Sequence, residues 1–198
     1  MKTKTLTLLA AALLTTGCGD SSDGVVEPER DLEPEGPAFA VGPGAKPMVL
    51  RLLGSDEMTP ETVADPDDVI PGADEAVCYT VPMWDVSQDR VAGTAKDCIS
   101  VLGTASGGVQ VVGTTTFDFG GGHTFTTQGL TSVQATTHGS PGITHVTGAI
   151  PSPGSNGVIA GTGRFRKLRA MARLSGAVNL TDFPASATFD CLFVITPL

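Results

Sequence analysis

Apolar and polar positions alternate with a period of two along most of this chain after its first fifty residues. Val109, Val111, Thr115, Phe117 and Phe119 share one parity, against Gln110, Thr114, Thr116 and Asp118. Ala170, Ala172, Leu174, Val178 and Leu180 oppose Arg173, Ser175, Asn179 and Thr181, and Ala187, Phe189, Cys191, Phe193 and Ile195 make one apolar face. A two-residue period with one buried face means antiparallel strands. The pattern predicts strands near Met48–Leu53, Ala76–Asp85, Arg90–Leu102, Gly108–Phe119, His123–Val133, Gly142–Ile150, Gly157–Ala160, Arg169–Leu180 and Ala187–Thr196. Hairpin-like joints fall at Val86–Asp89, Gly120–Gly122 and Ser152–Asn156. Thr59 to Asp68 is the one doubtful stretch for helix. The chain therefore reads as all-β, a single antiparallel barrel or sandwich of about eight strands, because such folds manage exposed edges.

The first residues follow other rules. Lys2 and Lys4 precede an apolar run, Leu6 to Leu14, too short for a stable membrane-spanning helix. The run closes on Leu14-Thr15-Thr16-Gly17-Cys18, which resembles the lipobox of bacterial lipoproteins, with Thr15 where an aliphatic residue is usual. The resemblance implies a signal peptide over residues 1–17 and lipidation of Cys18. That would tether the chain to a membrane of the cell envelope; Gly19 after the cysteine points to the outer membrane. More than one acyl chain suffices for stable anchoring.

Residues 18–46 then read as a linker. Asp20 to Ala45 carries seven acidic residues and Arg30, with Pro28, Pro34, Pro37 and Pro43 and few large apolar residues. Such a segment cannot offset the entropy of ordering itself, and its prolines and like charges extend it as a spacer. Residues 47–198 form the one folded domain, of ordinary size.

Charge narrows the partners. The chain has 12 basic and 21 acidic residues, net −9, and loss of Lys2 and Lys4 leaves 10 against 21, or −11. Nucleic acid and anionic headgroups are poor partners for such a chain.

One segment points to a particular barrel. Val158-Ile159-Ala160-Gly161-Thr162-Gly163-Arg164-Phe165-Arg166-Lys167-Leu168-Arg169-Ala170 resembles the strand, Gly-Gly-Thr-Gly turn, aromatic and Ala-Arg-Gly segment of the dirigent and allene oxide cyclase-like barrel proteins. Ala160, Leu168 and Ala170 depart from that pattern. Met83-Trp84-Asp85 to Val91-Ala92-Gly93 and the final strand are also similar to that family. The resemblance implies an eight-stranded barrel and assembly as a homo-oligomer, commonly a trimer. It also implies activity by shaping a cavity around a reactive intermediate; it transfers no catalytic residues. In the corner, Gly161, Thr162 and Gly163 supply a tight turn, Phe165 plugs the barrel end, and Arg166 or Arg169 is expected to bond turn carbonyls. A phosphate-loop reading fails for want of Gly-Lys-Ser/Thr and a following helix.

Candidate chemistry is sparse. Besides Cys18 there are Cys78, Cys98 and Cys191. Cys78 and Cys98 flank the Val86–Asp89 joint almost symmetrically, so they are the expected disulfide, with Cys191 left over. No paired Cys-x-x-Cys suggests a metal. His123, His138 and His145 are scattered, no Gly-x-Ser-x-Gly elbow is present, and no cofactor is expected. Asp85, Asp118 and Asp190 are the candidate cavity carboxylates, since a buried acid has a raised pKa and can donate a proton; the alternative places them outward or at the rim. Three functions remain open: a module binding an apolar small molecule or another envelope component, an isomerase or cyclase, and a structural or adhesive surface protein. An apolar cavity with one or two polar groups would favour the first two, a filled barrel the third.

Overall fold

The computed structural model describes residues 44–63, 75–105, 108–135, 143–149, 157–182 and 185–198. Residues 1–43 lie outside the described residues, so the signal, Cys18 and nearly all of the linker are not placed.

Ten strands follow in order: β1 (Met48–Glu57), β2 (Thr59–Thr62), β3 (Glu75–Asp85), β4 (Arg90–Ala105), β5 (Gly108–Asp118), β6 (Thr124–Ala135), β7 (Ile143–Ala149), β8 (Val158–Gly161), β9 (Ala170–Asn179) and β10 (Ser186–Pro197). Nine match the runs read from alternation to within a few residues. Eight of them close an antiparallel barrel in the order β1-β10-β9-β7-β6-β5-β4-β3, and β1 returns to β3 through Leu50↔Asp85, Arg51↔Trp84 and Leu52↔Met83. Closure removes the free edges that an open sheet of this length would present.

The two additional strands are short. β8 pairs with the Phe125–Thr127 part of β6, below the stretch that pairs with β7. β2 pairs with β3 from Thr59↔Cys78 to Thr62↔Glu75, so the first residues of the stretch left doubtful for helix are an edge strand. Pro60 is tolerated there because an edge residue need not donate to a second neighbour. Nothing in the local pattern of four polar and proline residues marks a strand; pairing with β3 makes it one.

Parity sorts the barrel. Odd positions of β3, β5 and β6, and of β4 between its two register shifts, point inward, and the interior has two unlike halves. Phe117 stacks on Phe125 with ring centroids 4.6 Å apart and meets Phe193 edge-on at 5.2 Å. Phe165, on a one-turn 3-10 helix (Gly163–Phe165), packs on Phe119 and Phe125, each at 5.0 Å. With Leu50, Met83 and Ile195 these rings fill one end of the barrel. The other end is lined by smaller branched side chains and is hollow.

Cys78 and Cys98 stand directly opposite each other on β3 and β4 and form a disulfide. They sit at even positions, on the outer face, with Ala76 and Val63. Cys191 is the free cysteine among the described residues and is buried.

Candidate functional site

The hollow end holds a cavity of about 260 Å³. Val77 of β3, Ile99 and Val101 of β4, Val109 and Val111 of β5, Val133 of β6, Val146 of β7 and Leu174 and Val178 of β9 supply its wall, with Leu180 and Phe189. All come from inward positions of the alternating pattern. Since an apolar cavity of ~150 Å³ accommodates benzene, this one suits a molecule of roughly ten non-hydrogen atoms.

One carboxyl group lines this cavity among the described residues. Asp97, on β4, is almost completely buried, between the hollow end and the aromatic end. Its Oδ2 accepts a hydrogen bond from the Tyr79 hydroxyl at 2.8 Å, and its Oδ1 accepts one from the Thr115 hydroxyl at 2.5 Å. Tyr79 is in turn held edge-on against Phe189, centroids 5.3 Å apart. Burial pushes the Asp97 carboxyl up from the usual carboxylate value to about 6, while the Thr115 and Tyr79 hydrogen bonds pull the other way. Desolvation, followed by the nearby Asp97 charge, raises the Tyr79 phenol well above its ordinary value and pushes the Cys191 thiol up as well. The cluster is thus one carboxyl group that titrates near neutral pH, flanked by two groups that stay neutral.

None of the three expected carboxylates lines the cavity. Asp190 points outward from β10, where its carboxylate makes a two-pronged ion pair with Arg51 at 2.8 Å on the exposed face. Asp118 is exposed at the end of β5, and its Oδ1 accepts from the Gly120 amide in the turn. Asp85 is fully buried, but at the filled end, where the Ser87 amide and hydroxyl both donate to Oδ1. Its Oδ2 has no hydrogen-bond partner among the described residues.

Parity would have found Asp97. It falls in step with Ala95, Ile99 and Val101, while Lys96, Cys98 and Ser100 face the other way. A polar residue on an otherwise apolar face is the signal; carboxylates at strand ends are not.

The Gly-Thr-Gly corner lies at the filled end, away from the cavity. Gly163 has φ +52°, and a Cβ there would come 2.1 Å from His123 Nδ1 and 2.8 Å from the Gly122 carbonyl. At Gly161 a Cβ would meet the Phe165 carbonyl at 2.3 Å. The Thr162 hydroxyl donates to the Gly122 carbonyl at 2.8 Å and lies 2.8 Å from the Thr124 hydroxyl, tying the corner to the β5–β6 turn.

Arg166 and Arg169 have exposed side chains. The arginine packed into the corner is Arg164. Its guanidinium lies over the Phe165 ring at 4.8 Å and the Phe119 ring at 5.3 Å, and desolvation lowers its pKa. His123 accepts from the Arg164 amide at 3.3 Å, His145 is exposed on β7, and His138 lies outside the described residues. Among the described residues no three His, Cys, Asp or Glu side chains gather as metal ligands would.

No protein-family model matches the chain, and no curated protein matches it. Among solved structures, the chain is similar to one described as a nonspecific heme-binding cyclase that catalyses a [4 + 2] cycloaddition during neoabyssomicin biosynthesis. Identity is 14% and the TM-score 0.39, over 76% of this chain and 62% of that one. A likeness of that degree carries no functional information.

Proposed function

We propose that this protein binds an apolar small molecule inside the barrel, and that a lipid on Cys18 holds it at the cell envelope behind the acidic linker. The observation that supports binding is the half-filled interior: aromatic rings pack one end densely, while valines and leucines leave about 260 Å³ at the other, next to Asp97. A barrel serving only as surface structure gains nothing from that space, since filling an apolar cavity adds stability. A mostly apolar pocket with one placed polar group is the usual form of a small-molecule site.

Calorimetric titration of the purified chain with 1-adamantanol and 1-nonanol tests the reading. At least one should bind, and Val133→Trp, which puts an indole into the cavity, should abolish the heat. Absence of binding by either alcohol would return the barrel to a structural role.

A second reading, an isomerase or cyclase, draws on the same carboxyl. A buried acid titrating at about 6 can transfer a proton at neutral pH. Turnover would be seen as ligand extracted in altered form after incubation, whereas a binding protein returns it unchanged.

A further inference from the structure

Among the described residues Asp97 has hydrogen-bond donors but no counter-charge. Tyr79 on β3 and Thr115 on β5 each donate to a different carboxylate oxygen, an arrangement that solvates the ionised form. A carboxylate offers about four acceptor positions, so two donors leave it able to accept more. Among the described residues no lysine, arginine or histidine lines the cavity.

Among the described residues, the groups facing Asp97 are all neutral or apolar. Tyr79 from β3 and Cys191 from β10 are pushed toward their protonated, uncharged forms, and Thr115 from β5 carries no charge. β6, β7 and β9 present Thr131, Val133, Val146, Leu174 and Val178 to the cavity. Lys96, the next residue back in β4, is paired with Glu61, and Arg173 of β9 is exposed. A lone buried carboxylate is costly, and the cost is relieved when a cation joins it. A neutral alcohol or ketone supplies at most a hydrogen bond and leaves the charge unbalanced.

The geometry points to a hydrophobic amine as the occupant: its ammonium group pairs with the Asp97 carboxylate and its hydrocarbon body, of roughly ten non-hydrogen atoms, fills the valine-lined end. This inference rests on the small-molecule reading above and narrows it to a ligand class. With the carboxyl titrating at about 6, the ionised form that an amine needs predominates at neutral pH. The net charge of −9 also draws cations toward the protein.

The experiment compares isosteric pairs, 1-aminoadamantane with 1-adamantanol and nonylamine with 1-nonanol, by calorimetry at pH 7.5 and pH 5. An alkylammonium keeps its proton at both, so the change reports Asp97. The amine should bind at least about tenfold more tightly than its alcohol at pH 7.5 and lose about tenfold at pH 5, where most Asp97 is protonated. Asp97→Asn should erase the amine preference while alcohol binding persists, which also shows that the variant is folded. Tyr79→Phe, by removing a donor to the carboxylate, should move the pH midpoint of amine binding upward. Alcohols that bind as well as amines, or amine binding indifferent to pH and to Asp97→Asn, would overturn the amine assignment and leave the cavity-binding reading standing. Failure of both amines and alcohols to bind would overturn both.

Discussion

The Tyr79 hydroxyl donates to Asp97 Oδ2 at 2.8 Å across the β3–β4 ladder, where the two residues are register partners. Both point into the barrel, so a cross-strand pair becomes the polar feature of an otherwise apolar chamber. Its consequence for stability has a definite sign. The Asp97 carboxyl is raised from 3.8 to about 6 in the folded protein. Between those values the unfolded chain has released the proton and the folded one still holds it, so stability falls as pH rises and levels off above about 6. The loss across that window is at most roughly 3 kcal/mol. Asp97→Asn should flatten this part of the stability–pH curve, measured by urea unfolding between pH 4 and pH 7. An unchanged slope would mean that the carboxyl is not the source.

The Cys78–Cys98 bridge spans 20 residues and joins facing positions of one hairpin. A loop of that size corresponds to about 3 kcal/mol. The double variant Cys78→Ser, Cys98→Ser should therefore melt well below the parent. Non-reducing peptide mapping should recover Cys78 linked to Cys98, with Cys191 unlabelled by iodoacetamide until the protein unfolds. A Cys98–Cys191 pair would show the strand arrangement to be wrong.

At the corner, Gly163→Val puts a branched side chain at a positive φ and against His123. The backbone strain alone is about 1–3 kcal/mol, out of a typical total of about 5–15 kcal/mol. The variant should melt at clearly lower temperature, while 1-adamantanol affinity in the folded fraction stays near normal because the corner is at the filled end. Arg164→Ala should also lower the melting temperature, since it strips the cover from Phe165 and Phe119. Arg166→Ala, at an exposed position, should change it little. Equal effects of the two arginines would contradict this placement.

The proposed export depends on the first eighteen residues. Cys18→Ser should leave an uncleaved precursor that no longer partitions into detergent, and membrane fractionation of the parent chain should place it in the outer membrane. Normal cleavage with a soluble exported product would sink the anchor.

The outer face carries exposed Leu53 and Leu192 on the neighbouring strands β1 and β10. Apolar area of this kind is commonly covered by another chain. Light scattering should give a mass above that of one chain, with a trimer expected; a monodisperse monomer at tens of micromolar would reject assembly.

Strand positions were legible in the amino-acid order because alternation is a local property: each inward residue announces itself against its two neighbours. The same locality placed the Cys78–Cys98 pair, whose spacing about a short turn puts both on one face. Three things required the closed barrel. β2 exists only through its partner, since Thr59–Thr62 has no apolar alternation of its own. Arg164 packs on the phenylalanines only through its place on the 3-10 turn, because a basic run does not say which member such a turn rotates onto them. Asp97 became a site only when β3, β5 and β10 brought Tyr79, Thr115 and Cys191 around it. Sequence by itself determined the strands, their faces and the pairing of one hairpin, since those depend on residues a few positions apart. The tertiary structure decided where the rings would crowd and where space would remain, because packing depends on side chains that meet across the barrel from strands far apart in the chain.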